Sequence, residues 1–221
     1  MKPAIRLIET EHDPLLLPML EMYIDSFGAP YREPVRDLLS QIRTQNGAQH
    51  WVIEQEGQLI GMARGLYLPT SQTGYIVHVA IDPSARGKGL GAELLSHTNV
   101  WFRGQGANYK GLIVEVERIE DSKSEDQERE ARKRLSFFNK LGGLLITPGY
   151  TQPSMGPGLP PVPLNLILIF PEGSSNADEL IRGYYADGFG LDETHEFVKL
   201  ALSHARNPLA PLHSQFLLDP V

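Results

Sequence analysis

Apolar positions along this chain fall into short runs that switch between a period of two and a helical period. Residues 4–8, Ala-Ile-Arg-Leu-Ile, alternate and predict a first strand. Asp13-Pro14 marks a helix start, proline being suited to the first helical position, and Leu15, Leu16, Met19, Leu20 and Tyr23 recur at helical spacing. Val35, Leu38, Leu39 and Ile42 define one face of a second helix over residues 33–43, stopped by Gly47. Residues 51–54 and 59–63 flank Glu56-Gly57, a hairpin signal. An apolar run over 75–81 predicts the next strand, followed by a glycine-rich turn and a helix over 92–102. A strand over 111–117, a charged helix over 124–141 closed by Gly142-Gly143, and strands over 144–146 and 164–170 complete this part. The order predicts an α/β (α+β) fold, a mixed, mostly antiparallel sheet with helices on both faces.

Three segments interrupt the pattern. Residues 118–134 are dense in mixed charge, with Glu125/Arg129, Glu128/Arg132 and Glu130/Arg134 as acid-before-base pairs at i,i+4; this reads as a solvated helix face. Residues 148–163 hold six prolines and three glycines, a composition that predicts a long loop, either a substrate lid or a surface loop. After Phe170, a linker leads to two helices over 177–186 and 192–205, split by Asp187-Gly188-Phe189-Gly190-Leu191. Leu180, Ile181, Tyr184 and Tyr185 give one an apolar face; Phe197, Leu200, Ala201 and His204 give the other. Packing on the sheet, a dimer contact and a cover over the acceptor site are the alternatives. The boundaries expected are 1–172 for the main domain and 173–221 for a C-terminal helical extension.

The candidate chemistry centres on Arg86-Gly87-Lys88-Gly89-Leu90-Gly91, between a strand and a helix N-terminus. Such a turn presents successive backbone N–H groups and the positive end of a helix dipole to an anion. Glycines let the backbone approach a phosphate without a Cβ in the way. The spacing is wrong for a P-loop, which needs Gly-Lys followed by Ser or Thr, and a dinucleotide fingerprint would need glycine at position 94, which is Leu94.

The pattern that fits is Arg-x-x-Gly-x-Gly, here Arg86, Gly89 and Gly91 after Val79-Ala80-Ile81-Asp82-Pro83. It resembles the acyl-CoA pyrophosphate loop of the GNAT superfamily of N-acetyltransferases, across about residues 4–170. The resemblance implies the GNAT fold and acetyl-CoA as cosubstrate. It implies coenzyme contacts from Val79, Ala80, Ile81, Arg86, Gly87, Lys88, Gly89, Leu90, Gly91 and Asn139. Acetyl transfer to a primary amine, of a small molecule or an amino terminus, by direct attack is the implied reaction. Ile113-Val114-Glu115-Val116-Glu117 is similar to the Leu-Glu-Val strand of ribosomal-protein N-terminal acetyltransferases, which makes Glu115 the implied base; an edge pair of surface acids is the other reading. Tyr75 and His78 are alternative bases, expected on opposite faces of their strand. Phe137-Phe138-Asn139-Lys140-Leu141-Gly142-Gly143 resembles the family's Phe-Tyr string, but Phe138 stands where the proton-donating tyrosine would be. The thiolate then leaves unassisted or through water, or a phenol such as Tyr150 reaches in. A domain that binds acyl-CoA and catalyses nothing stays open, as does another nucleotide-binding α/β protein.

Composition narrows the partners. With 221 residues and 41% hydrophobic content the chain is long and apolar enough for one folded domain with an appendage. It has no cysteine, which removes disulfides, thiol nucleophiles and thiolate metal sites and fits a reducing, cytoplasmic compartment. No metal is expected. No apolar run approaches the roughly 20 residues of a membrane span, and the first residues lack a signal-peptide pattern. A net charge of −7 argues against nucleic acid as a partner and favours an amine-bearing acceptor. A homodimer is an expectation resting only on the C-terminal apolar faces.

Overall fold

The computed structural model describes residues 2–45 and 47–212. The elements run β1 (Ala4–Leu7), α1 (Leu16–Ser26), α2 (Val35–Thr44), β2 (Gln49–Gln55), β3 (Gln58–Leu68), β4 (Thr73–Ile81), α3 (Leu90–Arg103), β5 (Leu112–Glu117), α4 (Glu125–Asn139), β6 (Leu144–Gln152), β7 (Val162–Ile169), α5 (Ala177–Phe189), α6 (Glu196–Ser203) and β8 (Ala210–Pro211). The strands form one eight-stranded sheet in the order β1-β2-β3-β4-β5-β7-β6-β8. Every neighbouring pair is antiparallel except β4–β5. The mixed, helix-flanked architecture expected from the order of elements is the one observed.

Strand alternation sorts the core. Trp51, Ile76, Leu112 and Val114 point to the face covered by α3 and α4, where Leu94, Leu95, Phe102 and Leu135 are buried against them. On the opposite face Val52, Met62 and Ala80 meet α1 and α2. Further along that face Tyr75, Ile113, Leu166 and Leu168 meet α5 and α6. Leu180, Ile181, Tyr184 and Tyr185 of α5 are all buried there. At about 1.5–3 kcal/mol per large buried apolar side chain, this outweighs the exposed Arg182–Asp178 and Arg182–Glu193 pairs, each worth about 0–1 kcal/mol. The helices therefore dock on the sheet, and β8 joins it beside β6 at Leu144 and Leu145.

Four local expectations are corrected. Arg64 pairs with His78 and Gly65 with Ile76, so Val77 is the extra residue of a bulge in β4. The bulge resets the alternation, and Tyr75 and His78 share one face instead of facing apart. The expected loop over 148–163 shortens to 153–161, because β6 runs through Pro148 to Gln152. Pro148 is tolerated because the register slips between Leu145 and Thr147 and again between Thr147 and Tyr150, where no ladder N–H is required. Helix α5 continues through Asp187-Gly188 to Phe189, closed by Gly190 in the left-handed region, and α6 starts later, at Glu196, behind a His195 cap. On α4, Arg134 crosses to Glu117 on β5 at 2.8 Å instead of pairing with Glu130, which Lys133 takes.

One irregularity positions the site. β4 and β5 pair only at Gly74–Leu112, Tyr75–Ile113 and Ile76–Val114. Beyond Ile76 and Val114 the two strands part, and the split opens a cleft of about 1610 Å³. Among the described residues no helix is long and apolar enough to cross a membrane, and no group of three or more His, Asp or Glu could hold a metal ion.

Candidate active site

The cleft has one end built from backbone. Asp82 caps a short 3-10 turn, accepting from the Ser84 N–H at 2.8 Å, and the chain then enters α3 through Gly87 (φ +75°) and Gly89 (φ +80°). Only glycine takes these left-handed angles without strain. A Cβ at either position would meet no protein atom within 4 Å, so the space beside them is open. Among the described residues the N–H groups of 87–92 find no hydrogen-bond partner, and the first amide of the helix to be paired is that of Glu93, to Gly89 at 3.0 Å. Free amides at a helix N-terminus, beside Arg86, form an arrangement able to hold an anion such as a diphosphate. Arg86 is held over the turn by its Nε donating to the Ile81 carbonyl at 3.0 Å.

Val79, Ala80, Ile81, Arg86, Gly87, Gly89, Leu90 and Gly91 all line the cleft, and Lys88 and Asn139 do not. Lys88 folds back, its Nζ donating to the Ser84 carbonyl at 3.3 Å. Phe137, Phe138, Lys140 and Leu141 form that wall in place of Asn139. The Asp82 N–H bonds the Ile60 carbonyl on β3, so by strand alternation the amides of Val79 and Ile81 point the other way, into the split. Open backbone donors, an apolar wall and a cationic rim fit a coenzyme A molecule.

The other end is built from side chains. Glu115 lies on β5 just past the last β4 pairing, partly exposed to the cleft. The Tyr184 hydroxyl donates to its Oε1 at 2.6 Å, the Tyr150 hydroxyl donates to the same oxygen, and Gln152 Nε2 donates to Oε2 at 2.7 Å. A carboxylate offers four lone-pair positions, so one on Oε2 is left open. Burial pushes the Glu115 carboxyl up and the hydrogen bonds from Tyr150, Tyr184 and Gln152 pull it down; burial wins, and its proton affinity stands above that of an ordinary glutamate. Burial, then the Glu115 charge, drives the phenols of Tyr75, Tyr150 and Tyr184 well above their usual range, which keeps them protonated donors.

Glu115, Tyr150 and Tyr75, singled out in the sequence, are thus brought together, but only Glu115 reaches the cleft wall. Tyr150 is fully buried behind the carboxylate, and Tyr75 is buried beside it with its ring edge-on to Tyr184 at 4.9 Å. His78 does line the cleft. Burial and the nearby Arg64 guanidinium press its pKa down to about 3, which makes it a weak base. Its Nε2 lies 2.7 Å from the Tyr31 carbonyl. Arg64 is itself buried, with Nη2 donating to Glu33 at 2.8 Å and Gln41 at 2.9 Å.

Sequence reasoning missed three residues here. Gln152 fell in the segment read as loop, where strand parity carries no information. Tyr31 lies in a short 3-10 turn between α1 and α2 and is the one tyrosine among the described residues lining the cleft. Tyr184 was read only as part of an apolar face; the available signal was that a buried tyrosine hydroxyl needs a partner.

Residues 16–121 match the model of the acetyltransferase (GNAT) family. That segment runs from α1 to the turn after β5 and includes the glycine turn before α3 and Glu115. Among solved structures, the chain is similar to a GNAT-family protein from Bacteroides thetaiotaomicron, at 20% identity and a TM-score of 0.67, covering 86% of this chain and 99% of that one. It is also similar to yncA from Salmonella typhimurium, solved with its cofactor acetyl-CoA (19% identity, TM-score 0.54, covering 79% of this chain and 98% of that one). The ribosomal-protein alanine N-acetyltransferase from Escherichia coli is a third (16% identity, TM-score 0.51, with coverage of 79% and 98%). At these identities the likeness is one of fold. A sequence search of curated proteins gave no match.

Proposed function

We infer that this chain, whose residues 16–121 match the GNAT acetyltransferase family, uses acetyl-CoA and acts on a primary amine, of a small molecule or a peptide amino terminus, by direct attack with Glu115 as base. The coenzyme supplies an acetyl thioester. The free amides of 87–92 and Arg86 would hold its diphosphate, and the inward amides of Val79 and Ile81 would bind the pantetheine arm and polarise the carbonyl. The observation that carries the reading is one carboxylate, partly desolvated and open at a single Oε2 lone pair, at the point where β4 and β5 part.

An attacking amine must arrive neutral, and a base of raised proton affinity takes its proton at that open Oε2 position. Gln152 supports the orientation. Its Nε2 is engaged with Glu115 while its buried Oε1 has no partner, leaving an acceptor for a second amine N–H beside the base. Tyr150 is assigned to holding Glu115, to which it donates from outside the cleft, while Tyr75 packs beside the pair with its buried hydroxyl unpartnered. Tyr31 takes the proton-donor role that Phe138 cannot fill. It lines the cleft and feels the charges of Glu117 and Arg134, and burial raises its pKa so that it stays protonated.

Acetyl-CoA offered with primary alkylamines, peptides with free amino termini, and matched alcohols tests this reading. Free thiol and the acetylated product are followed together by absorbance and mass spectrometry. The expected outcome is product from at least one primary amine and none from its alcohol counterpart. Acetylated alcohols, or thiol release without any acetylated amine, contradict it.

A further inference from the structure

We propose that Tyr184, on α5 and outside the segment that matches the GNAT family, is a positioning residue of the acid–base site: its hydroxyl fixes Glu115 through Oε1 and braces Tyr150, which makes the C-terminal helical pair part of the acetyl-transfer machinery. The proposal rests on the reading of Glu115 as the base. Tyr184 is fully buried, its oxygen 2.6 Å from Glu115 Oε1 and 3.0 Å from the Tyr150 hydroxyl. Its ring meets Tyr75 edge-on at 4.9 Å and Tyr150 edge-on at 5.4 Å.

The seat of α5 is set by contacts away from the carboxylate. Near the middle of α5, Gly183 lies so close to the β3–β4 connection that a Cβ there would stand 2.6 Å from the Ser71 nitrogen. One turn further, the Asp187 carboxylate accepts from the Thr70 N–H and from its hydroxyl, both at 2.7 Å. At the helix start, Asn176 caps the first turn, and Asn207 Oδ1 accepts from the Ala177 N–H at 2.8 Å. A helix pinned at both ends delivers one hydroxyl to a fixed point. Phenylalanine would fill the same space with the same apolar area. What the hydroxyl adds is occupancy of an Oε1 lone pair, and that occupancy, with that of Tyr150, directs proton uptake to Oε2.

The groups facing Glu115 are few. They are Tyr75 from β4, Tyr150 and Gln152 from β6, and Tyr184 from α5. On its own strand Glu117 follows, tied to Arg134 of α4 at 2.8 Å. None of the direct partners is a cation. The proton affinity of Glu115 is therefore a balance between burial and a small number of neutral donors, and deleting one donor to the ionised form moves it upward.

The test compares the whole chain with its Tyr184→Phe variant. Carbon NMR follows the Glu115 side-chain carboxyl through a pH titration, with Glu115→Gln identifying the resonance. The expected result is a Glu115 midpoint about one pH unit higher in Tyr184→Phe, a tenfold gain in proton affinity. Coenzyme A affinity should stay unchanged, and the acidic limb of kcat/KM with a primary amine substrate should move by the same amount. An unmoved midpoint overturns the proposal. If the midpoint moves while Glu115→Gln turns over at the wild-type rate, the hydrogen bond stands and the base assignment falls. Should Tyr184→Phe fold poorly, labelled Tyr184 in the unmodified chain carries the test. Its ring-carbon resonance should shift over the same pH range as Glu115, and insensitivity to that titration overturns the proposal.

Discussion

At the α3 end of the cleft the groups that face the open space come from one continuous stretch, residues 79–92, and most of them are backbone amides. At the β5 end the groups around one carboxylate come from β4, β5, β6 and α5, with Tyr150 and Tyr184 standing 35 and 69 positions along the chain from Glu115. The first end depends on what the chain can do locally: two glycines in the left-handed region and a helix start. The second exists only once the sheet is closed and α5 has docked. A recognition surface made of main chain is robust to side-chain change and fragile to backbone change. An acid–base cluster made of side chains is the reverse.

That contrast can be broken most sharply at Gly89. Valine there must take φ near +80°, at a cost of about 1–2 kcal/mol for a residue with a Cβ, and its side chain would enter the open space over the free amides. Calorimetry should show coenzyme A affinity falling about 100-fold or more, with a melting point lower by only a few degrees. Retained affinity would mean the diphosphate is held elsewhere.

The buried side-chain region should carry its own pH signature. His50 and His78 are both pressed to a pKa of about 3 by burial and Arg64, against an unfolded value near 6.5. The unfolded chain binds protons that the folded chain refuses, so this contribution to stability is full above about pH 6.5 and is lost as the pH falls toward 3. For the pair the slope is about 2–3 kcal/mol per pH unit in that window. Urea unfolding at stepped pH measures it, and a flat profile between pH 6 and 4 contradicts the buried, neutral assignment.

Smaller effects sharpen the division of labour. Tyr31→Phe should lower kcat about tenfold with little change in KM, because the phenol is engaged only as the thiolate forms; unchanged kcat returns that proton transfer to water. Asn207→Ala removes the acceptor for the Ala177 N–H at the start of α5. A loss of about 1 kcal/mol in chemical denaturation is expected, and a neutral result would mean that α5 is held by its buried face alone.

The turn between β4 and α3 was legible because its determinants are contiguous and chemically unusual: alternating glycines beside Arg86, after an apolar strand. Most strands and helices were legible from period alone. Legibility failed where a tertiary contact overrode it. A single bulge at Val77 moved His78 onto the face of Tyr75, and no periodicity argument counts an extra residue. Pro148 stopped the predicted strand on the premise that every position needs a ladder N–H, while β6 carries it at a slip in register. Gln152 was lost with that segment. Tyr184 was seen as packing because its partner lies far along the chain, and a one-residue apolar pattern does not say where a hydroxyl points. Lys88 drew attention by charge, yet its Nζ bonds back to Ser84 of its own loop, away from the cleft.

The most direct test of the account is the pH dependence of acetyl transfer to a primary amine at saturating acetyl-CoA, in wild type and in Glu115→Gln. Wild type should lose activity as the pH falls through the raised Glu115 pKa. The variant should be slower by about 10²–10⁴-fold, with that acidic limb gone and coenzyme A affinity intact. A variant that keeps both the wild-type rate and the limb would contradict the assignment of Glu115 and, with it, the chemistry drawn from the split between β4 and β5.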